Sequence, residues 1–254
     1  MSLDPGQAAL AAFLGLLFGS LASALSHRLP RGLPVFADRS RCPACGTPLT
    51  PLDLVPLLSW LLNRGRCRHC GAGVSWRYPV IELTTAAIFV AALAAGGGSP
   101  LLTATLALTG FALVVIVVAD LEERIIPDAM VILLLIAGLA WRWQAGDWID
   151  GLAGAATGLL LSLGLRWAFL RWRGVDALGL GDVKFLGVAG IYLGVTDLAH
   201  FLVLAGVGGM VLGLVWRRLG HGEVFPFGPA LCASLAVLLW EKAPLVAEQV
   251  VTHY

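Results

Sequence analysis

Apolar residues run together along this chain in long blocks, and the polar positions fall almost wholly between the blocks. Neither a strand alternation nor an amphipathic stripe dominates them, and helices apolar all round are those that face lipid or a deep core. Windows of about 20 apolar residues predict helical spans. They fall near 8–26, 79–96, 101–120, 128–144, 149–170, 183–196, 198–216 and 228–245, eight in all with the sixth short. The first run carries Asp4 and no Lys or Arg before it, and ends in Ser26-His27-Arg28 rather than at a small-residue cleavage site. It is therefore expected to be a retained span, not a secretory signal.

Composition agrees: 58% hydrophobic residues, 13% charged and a mean hydropathy of +0.85 exclude an ordinary soluble domain. The net charge of +1 says little, but the placement of the charges says more. If the eight spans hold, all of the 17 Lys and Arg residues except Arg142 and Lys242 fall on one side. The positive-inside tendency makes that side the cytoplasm and puts both termini outside. Three units follow: a first span over 1–26, a cytoplasmic module over 27–78 rich in Pro, Arg and Cys, and a seven-helix membrane domain over 79–254. Trp141, Trp143 and Trp148 cluster between spans four and five, and Trp167 and Trp172 flank the inner end of span five, as in interfacial aromatic belts.

The module holds two copies of C-x2-C-G-x2-apolar, Cys42 to Leu49 and Cys67 to Val74. Each copy predicts a turn with both thiolates aimed at one centre, and four thiolates make a closed, structural zinc site. A reducing cytoplasm argues against two disulfides. His69 lies between two ligands, but four thiolates already fill the shell. Cys232, inside an apolar span, is expected to be a small buried hydrophobe.

Ionisable groups at membrane segments are costly to desolvate and mark function. Asp120 closes the apolar run from Phe111, and Asp182 stands in Gly179-Leu180-Gly181-Asp182-Val183-Lys184. Either acid alone reads as a headgroup-level residue or a cap, and Asp128 after Pro127 reads as the N-cap of span four. Together on one face, Asp120 and Asp182 predict an aspartic-protease pair. One carboxylate takes a proton from water and the other gives one to the scissile carbonyl, the two titrating as a unit. Gly179, Gly181, Asp128 and Lys184 are expected to support the pair. Glu82, near Arg77, is expected to pair with it or to bind a substrate amine, with pairing the simpler expectation.

In order along the chain these residues resemble the prepilin leader peptidases of type IV pilus and type II secretion systems, which are G-x-G-D membrane aspartic peptidases. Gly19-Ser20 with Arg28-Leu29-Pro30, the two cysteine knuckles, Ser75 to Leu83, Asp120 with Ile126-Pro127-Asp128, Gly179 to Lys184 and Phe225-Pro226-Phe227-Gly228-Pro229 carry the resemblance. Ser23 and Ala230 depart from it, standing where Asn and a larger apolar residue are common.

The resemblance implies cleavage of the basic leader of a prepilin or pseudopilin, after Gly, on the cytoplasmic side of a bacterial inner membrane. It also implies methylation of the new N-terminus from S-adenosylmethionine. Asp120 and Asp182 are then the catalytic acids; Cys42, Cys45, Cys67 and Cys70 hold zinc; and Glu82 and the loop motifs are the candidates on the methyl-donor side.

Two alternatives stay open at this level: a G-x-G-D protease of other substrates, which would need the acids but not the knuckles, and a transporter or scaffold with the acids in an ion path. Partners are expected to be the prepilin and membrane lipid. A nucleic acid is not expected, because anionic lipid attracts the basic loop equally well. The sequence sets no oligomeric state.

Overall fold

The computed structural model describes residues 3–35, 39–175, 178–222 and 224–253. Helices α1 (Pro5–Arg28), α3 (Arg77–Ala95), α4 (Pro100–Glu123), α5 (Asp128–Ala145), α6 (Trp148–Arg173), α7 (Leu180–Arg218) and α8 (Gly228–His253) are long, and α2 (Leu58–Leu62) is a short turn in the cysteine module. Each of the seven long helices is apolar enough to cross a bilayer, so the chain is a multi-pass membrane protein. Among the described residues no β-strand forms, as expected of an all-α chain.

Local sequence explains the helix starts. Asp4, Ser99 and Asp147 accept the backbone N–H of Gln7, Leu102 and Asp150, and Pro5 and Pro100 open α1 and α4 without sacrificing a hydrogen bond.

The two expected spans 183–196 and 198–216 lie within one 39-residue element, α7, which breaks at Gly194 (φ 72°, ψ −174°). Contacts on either side show that the chain doubles back there. Gly181 lies against Ile126, and Tyr192 against Gly138 one helix length away. Beyond the break, Asp197 pairs with Lys242, while Gly209 and Gly213 lie against Phe227 and Phe225. The two arms of α7 are therefore antiparallel, and among the described residues the seven long helices make eight passes. At a rise of about 1.5 Å per residue the first arm is only about 21 Å long, against roughly 30 Å of hydrocarbon.

The break is locked by charge. The Asp150 carboxylate accepts the Val195 N–H at 3.0 Å and lies 3.6 Å from Arg142 Nη2, and buried Arg142 also donates to the carbonyls of Ile191 and Asp147. A Cβ at position 194 would meet the Asp150 carboxylate. Below the break α6 and α7 touch through backbone: a Cβ on Gly154 would come 2.3 Å from the Gly190 carbonyl. Small residues allow this approach, which drives helix association where lipid gives no hydrophobic effect.

Three expectations change. Trp141 is not in a belt: it is 1% exposed and donates to the Tyr192 carbonyl at 3.2 Å, while Trp143, Trp167 and Trp172 are exposed as expected. Asp128 is the first residue of α5, not its cap; Pro127 holds that position. Arg77 does not pair with Glu82 but with Glu122 on α4. Cys232 is buried, as expected.

Candidate active site

Asp120 sits one turn before the end of α4, 5% exposed. Its Oδ2 accepts the backbone N–H of Gly228 at 2.8 Å, the first residue of α8. Asp182 lies in the first turn of α7, where its carboxylate takes the N–H of Gly179, the N-cap. Each acid thus meets the N-terminal end of a helix, where unpaired N–H groups and the helix dipole favour negative charge. The two carboxylates are close enough to interact electrostatically, and the Cys232 thiol lies within the field of both.

Glycine is needed beside both acids. A Cβ on Gly228 would come 2.8 Å from Asp120 Oδ2, and one on Gly181 would come 2.9 Å from Ile126, just beyond the end of α4. Gly179 packs against the Asp182 carboxylate itself. Lys184 points away from Asp182 and pairs with Asp128 at 2.7 Å on an exposed surface. The hydrogen bond from Gly228 has no short-range signature in the sequence. Only the occurrence of Phe225-Pro226-Phe227-Gly228-Pro229 before an apolar run hinted that this turn had a task.

The cysteine module repeats itself in three dimensions. In one knuckle Cys42 N–H binds the Thr47 carbonyl and Gly46 N–H the Cys42 carbonyl; in the other Cys67 and Gly71 make the same bonds to Ala72 and Cys67. Isolated bridges, Arg41 to Pro48 and Arg66 to Gly73, close both turns. The ligand atoms of Cys42, Cys45, Cys67 and Cys70 all lie within 4.8 Å of one another, and Cys42 Sγ is 3.9 Å from Cys70 Sγ. Tetrahedral zinc with bonds of about 2.3 Å needs sulfur atoms near 3.8 Å apart, so the set fits a metal ion. Hydrogen bonding with Thr47 brings the Cys45 thiol down to about 6, while desolvation and the neighbouring thiols push Cys70 up to about 11, so negative charge gathers on part of the set. Asp53 braces the second knuckle, 3.5 Å from His69 and 3.6 Å from Arg68, and its bonds with Thr50 hold its carboxyl below the usual range. His69 is thus engaged away from the thiolates.

Glu82 is buried on α3, and its Oε2 accepts the Leu57 N–H at 2.8 Å. It does not join the acid pair. It lines a separate cavity of about 920 Å³ between α1, α3 and the cysteine module.

Comparison with known proteins identifies the family. Residues 13–95 match the bacterial peptidase A24 N-terminal domain, and residues 106–214 the type IV leader peptidase family. The prepilin leader peptidase/N-methyltransferase of Burkholderia pseudomallei (strain K96243) is 35% identical over 94% of this chain and 86% of its own length. The protein of the same name from Aeromonas hydrophila is 40% identical over 81% and 73%, and that of Bacillus subtilis (strain 168) 35% over 87% and 88%. The chain belongs to the type IV leader peptidase family. No solved structure matches it significantly. The first family segment contains the cysteines, Glu82 and the cavity; the second contains Asp120 and Asp182, while Gly228 lies beyond both.

Proposed function

We propose that this chain removes the leader peptide of a type IV prepilin or a secretion pseudopilin and methylates the N-terminus so exposed. The observation that carries the peptidase half is the meeting of Asp120 and Asp182, each at the N-terminal end of a different helix. Two carboxylates that interact in a poorly solvated site favour sharing one proton, because their negative charges repel. The ionised partner draws a proton from water as it attacks the scissile carbonyl, and the protonated one donates to the carbonyl oxygen. The amine leaves with a proton, and the pair is ready again. Gly179, Gly181 and Gly228 position the acids, while Lys184 and Asp128 brace the rim.

The acids lie at the face we read as cytoplasmic, where a basic leader stays while its apolar stem lies in the bilayer. Residues 27–78 form the zinc module between the first span and the membrane domain over 79–254. There zinc would be held by Cys42, Cys45, Cys67 and Cys70 and would fix the fold of the loop without entering the reaction. The names of the relatives support methylation, for which S-adenosylmethionine is the donor.

The test is mass spectrometry of a prepilin incubated with the protein in detergent, with and without S-adenosylmethionine. Loss of the leader plus one methyl group is expected with the donor, and loss of the leader alone without it. An intact prepilin beside folded protein would overturn the reading.

A further inference from the structure

The cavity between α1, α3 and the cysteine module is remote in chemistry from the acid pair, and its floor is built for a cation. Glu82 contributes a buried carboxylate with one oxygen on Leu57 N–H. Leu57 is held at φ 58°, an uncommon conformation for a side chain branched at Cγ, so the bond fixes a strained turn beside the carboxylate. Next to it on the floor, the Ser23 hydroxyl is buried without a hydrogen-bond partner. Orphaned buried polar atoms are rare and call for an explanation.

Sequence brings the two together. Gly19 lets the backbone of α1 touch that of Glu82, since a Cβ there would lie 2.5 Å from Glu82 Cα, and Ser23 follows one helical turn later on the same face. The walls carry Trp60 and Tyr78, and the rim carries Arg39 and Arg41. At about 920 Å³ the space suits a ligand of nucleoside size or larger.

We propose that this cavity binds S-adenosylmethionine, with Glu82 and Ser23 facing the reacting cations. This deepens the methyl-transfer half of the proposed function and rests on it. The donor's sulfonium and the acceptor's ammonium are both positive, and the buried Glu82 carboxylate offsets their approach, while Asp53, the other acid on the lining, is engaged with Thr50, Arg68 and His69. The ammonium gives a proton to water, the amine lone pair forms the N–CH3 bond, and the S–CH3 pair returns to sulfur as a thioether. The aromatic walls suit the adenine face, and the arginine rim suits the donor's own carboxylate.

Ion pairs tie the first segment to the end of α4. Arg77, at the start of α3, pairs with Glu122, and Arg31 with Glu123, both within three residues of Asp120 on α4.

The test compares wild type, Glu82→Gln and Ser23→Leu as full-length protein in detergent, with zinc content confirming the fold. Equilibrium dialysis measures binding of labelled S-adenosylmethionine, and mass spectrometry measures leader removal and methylation. Glu82→Gln keeps an acceptor for Leu57 N–H but loses the charge. It is expected to weaken donor binding at least tenfold and to stop methylation, with leader removal within about twofold of wild type. Ser23→Leu, which fills the floor, is expected to do the same. Both variants binding and methylating as wild type does would overturn the site and leave the methyltransferase reading standing. A wild type that removes leaders yet neither binds the donor nor methylates would overturn both.

Discussion

The acid pair and the cysteine module solve opposite folding problems. Asp120 and Asp182 lie on helices whose positions are set by packing, and α4 alone buries fourteen of its residues. The four thiolates lie on turns with almost no core: neither the 3-10 turn at Pro51–Leu54 nor α2 buries a residue, and Leu52, Leu58, Leu61 and Leu62 are exposed. In the first region the fold places the chemistry through backbone donors. In the second the ligand set is itself what can hold the fold, since metal binding to such a loop is also folding free energy. Perturbing packing should therefore damage the acids, and perturbing ligands should damage the module, with little crossover.

Four substitutions sharpen or break that contrast. Gly228→Val should have the largest effect. Its side chain would occupy the place of Asp120 Oδ2, and a displacement of about 1 Å at a reacting group can cost on the order of 100-fold in rate. Prepilin cleavage assays should show that loss, while methylation of an already cleaved pilin should continue; a cleavage rate near wild type would mean Gly228 does not hold the acid.

Cys67→Ser should remove bound metal, read by elemental analysis, and abolish methylation, with cleavage falling less than about tenfold. Unchanged metal content would contradict the four-thiolate site. Gly194→Ala should lower thermal stability by several degrees without moving Asp120 or Asp182. An extended conformation at positive φ, which essentially only glycine adopts, costs a side chain on the order of 1–3 kcal/mol, and the Cβ would displace Asp150. An unchanged melting temperature would remove the hinge lock.

Lys184→Met should matter least. Its pairing with Asp128 is exposed on both sides, and such pairs are worth about 0–1 kcal/mol, so leader removal should stay within about fivefold. A much larger fall would mean that Lys184 acts on Asp182 after all.

Hydropathy made the spans legible because lipid demands continuous apolar runs, and even the break in α7 was visible as two runs meeting near Gly194. The knuckles were legible because the same spacing occurs twice. What was not legible depends on which way a helix face turns. Arg77 and Glu82 are five residues apart, and proximity suggested a pair. The structure instead turns Glu82 inward to Leu57 and leaves Arg77 free to reach Glu122 across to α4. Trp141 and Trp143 are two residues apart and so lie on opposite sides of α5, one in the core and one at the surface. The bond from Gly228 to Asp120 joins residues far apart in sequence, and no local pattern encodes it.

The most direct test of the central claim is prepilin cleavage by Asp120→Asn and Asp182→Asn, each isosteric with the acid it replaces and checked for helix content and zinc. The account predicts that each variant alone loses at least about 1,000-fold in leader removal, since neither acid can serve as both acid and base. Either variant cleaving at more than a tenth of the wild-type rate would contradict it.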